Sequence, residues 1–167
     1  VTRDYVLKPA TFFQRFVAYI ADSLILLIVW LVLQTLFGLN VEEGGRGIAA
    51  INLFISTVYF TYFHAKDGAT PGKKLMEIRV ISIDGNALSL LQAFLRYTPY
   101  CVFIGVQIFM VISPDDAQLD PATQLLFVLL LVWHISSVYL IINSENGRTI
   151  HDFIAYTQVI QTAAIRG

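Results

Sequence analysis

The sequence predicts an all-α integral membrane protein. The expected fold is a four-transmembrane-helix bundle with a cytoplasmic loop carrying a small β-hairpin or sheet and a short C-terminal interfacial helix. Three observations lead there. First, 56% of the 167 residues are hydrophobic and only 14% are charged, whereas a soluble domain has about 25% charged residues. Second, apolar runs near the length of a membrane span recur four times. Third, the basic residues fall almost entirely on one side of those runs. One transmembrane domain over residues 1–167 accounts for the length. A net charge of −1 and the lack of a dense basic stretch argue against a nucleic-acid partner, and the single cysteine, Cys101, excludes an internal disulfide.

The first run, 16–37, and the last, 122–142, reach the roughly 20 residues that cross a hydrocarbon core. The second, 48–64, is short until Gly47 and His64 extend it. The third is expected over 90–112, because Ser89 and Gln92 have the spacing of a capping box, with Pro99 kinking the helix. The first run is too long for the apolar core of a signal peptide and lacks a cleavage site, so no secretory signal is expected.

Ten of the eleven Lys and Arg residues fall in the N-terminal segment, the loop 65–89 with Arg96, and the tail 143–167; only Arg46 lies on the other side. The positive-inside rule then puts both termini in the cytoplasm. Within the loop, "LMEIRVISIDGNALSL" has a strand-like alternation that ends in the turn signal Asp84-Gly85-Asn86. "YTQVIQT" is β-branched and too polar to span, and the two segments are expected to pair beneath the membrane. "RTIHDFIAY" reads as the interfacial helix, with Thr149 as N-cap and Asp152 at the third position. No internal repeat is evident.

One carboxylate interrupts the first span. In "RFVAYIADSLILLIVW", residues 15–30, Asp22 is the only charge between Arg15 and Phe37. At a helix centre a carboxylate costs about 2.5–3.5 kcal/mol on insertion scales, so something offsets that cost or uses it. Arg15 and Asp22 share a helix face roughly 10 Å apart along the axis. Side chains lean toward the helix N-terminus, however, so Arg15 points away from Asp22, toward the interface where Asp152 can meet it. The ordinary readings are a positive-inside anchor for Arg15 and a first-turn cap for Asp152.

At the depth of Asp22 the second helix offers Ser56 and Thr57, and the fourth offers His134, Ser136 and Ser137. Gln107 and Asn52 lie farther out. Polar groups at one level suit a buried ionisable site or a water-filled cavity. Taken singly, Ser and Thr in membrane helices more often bond their own backbone. No enzyme, metal or cofactor is expected. "GATPGKK" has the wrong spacing for a phosphate loop, and His151 beside Asp152 has no matching zinc ligand set.

Three segments carry a resemblance: "QRFVAYIAD", "GATPGKKLMEIRVISIDGNALSLLQAFLR" and "NGRTIHDFIAYTQVI". In this order they resemble the RDD family of membrane proteins, named for one arginine and two aspartates, which by motif position are Arg15, Asp22 and Asp152. The acidic segment "SPDDAQLDPATQ" is not part of that pattern. The resemblance implies a multi-pass protein of a bacterial plasma membrane. Family members are described as transporters, and sodium/proton antiport has been proposed for some.

The expected function is therefore a small ion transporter, an antiporter exchanging a monovalent cation for a proton on Asp22. Arg15 and Asp152 would stand nearby, and Ser56, Thr57, His134 and Ser137 would supply oxygens or a relay. Its partners would be membrane lipid, the two ions and, from its small size, further copies of itself. The alternative is a non-transporting adaptor or scaffold in which Arg15, Asp22 and Asp152 form a structural lock.

Overall fold

A computed structural model describes residues 8–38, 41–110 and 121–162. Arg3, the acidic stretch from Ser113 to Asp120 and the tail beyond residue 162 lie outside the described residues. Four long helices dominate: α1 (Phe12–Phe37), α2 (Val41–Asp67), α4 (Leu90–Met110) and α5 (Pro121–Asn143). Between them come two five-residue helices, α3 (Pro71–Leu75) and α6 (Ile150–Ile154), and two strands, β1 (Ile78–Ser82) and β2 (Thr157–Gln161).

Local sequence sets most helix ends. α1 starts four residues before the expected boundary because Thr11 and Gln14 form a capping box: the Gln14 N–H donates to Thr11 Oγ1 at 3.2 Å and the Thr11 N–H to Gln14 Oε1 at 3.0 Å. It ends at Gly38, whose φ of 60° suits a left-handed C-cap. Ser89 and Gln92 form the same box ahead of α4, and Pro99 lies within that helix. α2 corrects the sequence reading, since it begins at Val41 rather than near residue 48. α3 is a further addition. Its start signals, Thr70 as N-cap and Pro71 at the first helical position, stood in "GATPGKK".

α1 and the Gly47–Asp67 part of α2 are long and apolar enough to cross a membrane. Only 11% of either apolar window is buried, so these are not core helices of a soluble domain. They turn Leu24, Leu27, Ile28, Phe54 and Val58 outward, a surface that suits lipid rather than water. α5 contributes a shorter apolar stretch, Phe127–Asn143.

The compact core lies around the two strands. β1 and β2 pair antiparallel with Val80 opposite Val159, burying Ile78, Val80, Ile81, Val159 and Ile160. Residues 8–10 lie along β2, where the Ala10 N–H donates to Val159 O and the Gln161 N–H to Lys8 O, each at 2.9 Å. α2 packs on α4, and α1 packs on α3.

The order of elements corrects the expectation of no repeat. Helix, helix, short helix and strand occur once as α1-α2-α3-β1 and again as α4-α5-α6-β2. The likeness extends to single residues. Gly68 and Gly147 have φ of 67° and 55°, and each stands two positions before a threonine N-cap, Thr70 or Thr149. Each short helix leads to a left-handed residue, Glu77 at 52° or Tyr156 at 54°, immediately before its strand. The strand register is two-fold symmetric about Val80 and Val159: Ile78 faces Gln161 while Ser82 faces Thr157. The two halves are therefore two copies of one supersecondary unit, joined at the sheet.

Candidate functional site

Asp22 is fully buried, and its carboxylate accepts three hydrogen bonds. Tyr59 Oη of α2 and the Gly72 N–H donate to Oδ1, each at 2.8 Å, and Thr70 Oγ1 donates to Oδ2 at 2.6 Å. The cost of placing a carboxylate in an apolar helix is thus offset by donors from α2 and from the start of α3. Thr70 also caps α3, accepting from the Lys73 N–H at 3.3 Å. Gly72 allows the close approach: a Cβ there would stand 2.2 Å from the Ala18 carbonyl oxygen.

Asp152 is held just as firmly. Arg15 Nη1 lies 3.3 Å from Oδ2, and Arg96 Nη1 pairs with Oδ1. The Thr149 N–H and hydroxyl donate to Oδ2 at 2.9 and 2.7 Å, completing the capping box of α6. Arg96 also donates to Thr157 Oγ1 at 2.7 Å, tying α4 to the start of β2. Burial alone pushes the Asp152 carboxyl up, but Arg96 and Arg15 override it and hold the group well below the usual carboxylate range. Beside it, burial drives the His151 imidazole down to about 3, so it is neutral in the folded protein at pH 7.

These shifts fix the sign of a pH response. Between about pH 6.5 and 3 the unfolded chain protonates His151 while the folded chain excludes that proton, so stability falls as pH falls through this window. Asp152 adds a loss of the same sign below about pH 4, where the unfolded carboxylate titrates first. Thermal unfolding in detergent should drop by up to about 1.4 kcal/mol per pH unit from His151. His151→Gln should flatten the profile between pH 6.5 and 5.

The residues singled out from sequence part company here. Arg15 meets Asp152 and not Asp22. Ser56 lines a cavity, described below, that Asp22 does not itself line. Thr57 instead donates to its own backbone at Leu53 O, 2.7 Å away, and touches Cys101 Sγ at 3.3 Å. His134 faces outward on α5 with Nδ1 against Leu130 O at 2.8 Å, and Ser137 Oγ is buried with no hydrogen-bond partner among the described residues. Neither lines the cavity. This corrects the reading of one polar level: counting residues fixes depth along a helix but not the direction a side chain faces. Asn52 is exposed, and the side chain of Gln107 lies outside the described residues. Sequence reasoning missed Tyr59, Thr70, Gly72 and Arg96 as partners. For Thr70 a signal existed, since Thr-Pro before a short run marks a helix start.

The cavity has a volume of about 230 Å³ and takes its walls from both halves. Tyr19, Ser23 and Leu26 come from α1, Ser56, Phe60 and His64 from α2, and Lys73 from α3. α4 and α6 of the second half supply the rest of its lining.

A family model described as the RDD family matches residues 9–156, nearly the whole chain and all of the elements up to β2. The chain belongs to the RDD family. It is thus a member of a membrane-associated family, which agrees with the outward apolar faces of α1 and α2. A curated relative, described as "Uncharacterized protein YckC" of Bacillus subtilis (strain 168), is 27% identical over 158 residues, covering 92% of this chain and 85% of the relative. No solved structure matches. In this RDD protein, the arginine and the second aspartate form one cluster, and the first aspartate forms another about the start of α3.

Proposed function

We propose that this RDD protein is a four-span integral membrane protein with both termini in the cytoplasm, and that it acts as a membrane adaptor or scaffold. Arg15, Asp22 and Asp152 are its structural lock. The observation that carries this reading is the company of Asp22, whose two oxygens face three donors: Tyr59, Thr70 and the Gly72 N–H. A cation site needs converging acceptors, and a backbone N–H cannot become one. The lengths of α4 and α5 and the apolar stretch of α5 support four spans, and the basic asymmetry of the sequence supports the orientation. The lock would hold a two-fold sheet against the membrane as a platform for a partner.

A second reading, cation/proton antiport on Asp22, draws support from the cavity between the two halves, lined by the neighbouring Ser23, since solute sites in transporters often lie between repeats. One experiment separates the two. Purified protein in liposomes is tested for sodium- or potassium-driven proton flux, alongside Asp22→Asn, which keeps one acceptor oxygen for Tyr59 and Gly72. The lock reading expects no coupled flux from the wild type and a folded variant with a modestly lowered melting temperature. Coupled flux in the wild type that a well-folded Asp22→Asn protein loses would overturn it.

A further inference from the structure

We propose that the cavity between the two halves binds a phosphate-type anion, with Lys73 and His64 as its principal contacts. Three observations converge on it. No carboxylate lines the cavity among the described residues, while Lys73, Arg96, His64 and His151 all do. Arg96 is committed to Asp152, but Lys73 makes no hydrogen bond or ion pair through its ammonium with any described residue. The most telling group is His64. It is 4% exposed and stacks on Phe60, yet neither ring nitrogen has a hydrogen-bond partner among the described residues. His151 Nδ1 is unpartnered as well.

Buried polar atoms are nearly always satisfied, so a cavity with several orphaned nitrogens is shaped for something that meets them. Solvent satisfies an imidazole. It does not neutralise a half-buried ammonium: burial and then repulsion from Arg96 and Arg15 bring Lys73 down to about 8, although Asp22 and Asp152 pull the other way. An oxyanion does both: it accepts from lysine and histidine at once and supplies the missing negative charge. The hydroxyl of Tyr100 lies at the wall as a further donor, while that of Ser56 is bonded to Tyr97.

Leu26, Phe60 and Ile104 give the same cavity an apolar part of its lining. A lining that is cationic in part and apolar in part fits a phosphate that carries a hydrocarbon portion, and it also admits free phosphate. The shared chemistry is the phosphate oxyanion.

The test uses the full-length protein. Its melting temperature is followed in detergent with inorganic phosphate against chloride of equal ionic strength, and in mixed micelles containing phosphatidylglycerol against phosphatidylcholine. A saturable rise with inorganic phosphate identifies the free anion as a ligand. A rise with phosphatidylglycerol alone identifies the lipid headgroup. Lys73→Gln should raise the half-saturating concentration about tenfold or more, as expected for loss of one charge-assisted contact. Lys74→Gln, whose ammonium already pairs with Asp67 at 2.5 Å, should leave it unchanged. Because Lys73→Gln can disturb folding, Ser56→Val provides a second check by narrowing the cavity at its wall without touching either aspartate, and it should weaken binding likewise. No rise with either probe, or a full rise retained in folded Lys73→Gln or Ser56→Val, overturns the proposal.

Discussion

Asp152→Ala is expected to be among the most destabilising single substitutions in the chain. It strands Arg15 and Arg96 together, with Arg96 buried and Arg15 only 11% exposed in its side chain. Breaking a buried pair by removing one partner costs roughly 3–5 kcal/mol, and here one carboxylate serves two guanidinium groups. The same change removes the capping-box acceptor of α6, which orders the approach to β2. Thermal unfolding in detergent should show the loss. A double-mutant cycle gives the sharper result. Arg15→Ala with Asp152→Ala should lose clearly less than the sum of the single losses, because each removes what leaves the other unpaired. Additive losses would mean that the Arg15–Asp152 contact contributes nothing of its own.

Gly72→Ala should be nearly as damaging although it adds a single methyl group. Its Cβ would meet the Ala18 carbonyl oxygen at 2.2 Å and the Asp22 carboxylate at 2.8 Å, and the nearer obstacle is backbone. α3 must then move away from α1, and the Gly72 N–H and Thr70 hydroxyl lose their acceptor as it goes. Overpacking of this kind costs about 1–3 kcal/mol, to which each buried donor left unsatisfied adds roughly 1–3 kcal/mol. Gly85→Ala serves as the comparison, since its Cβ meets nothing within 4 Å and only its φ of 79° disfavours a side chain. If Gly72→Ala unfolds no earlier than Gly85→Ala, the close packing of α3 on α1 is not what holds this end of the molecule together.

The two substitutions mark where legibility from sequence stopped. Arg15 and Asp152 were matched by their place at the ends of helices, and the structure puts them 3.3 Å apart. Arg96 looked like one more positive-inside residue, because nothing local distinguishes a lysine or arginine that snorkels from one that turns inward. The partners of Asp22 come from α2 and α3, up to fifty positions along the chain. The repeat was hidden for a related reason. Between residues 68–82 and 147–161 only a glycine, a threonine, a valine and an isoleucine coincide, at Gly68 and Gly147, Thr70 and Thr149, Val80 and Val159, and Ile81 and Ile160. Those are the positions of the left-handed turn, the helix cap and the strand core, so the backbone repeats while the side chains around it have diverged.

By itself the sequence determined what depends on near neighbours: the apolar runs that became α1, α2, α4 and α5, the caps at Ser89 and Thr149, and two β-branched stretches suited to pair. Hydrophobic burial and capping act over a few residues, so composition and spacing encode them directly. Only the tertiary structure decided which way each helix turns. That choice sends His134 outward and His64 inward, gives Asp152 to two arginines, and leaves Lys73 facing a cavity with no carboxylate of its own. Side-chain direction around a helix is set by packing between elements far apart in the chain, and depth counted along one helix carries no information about it.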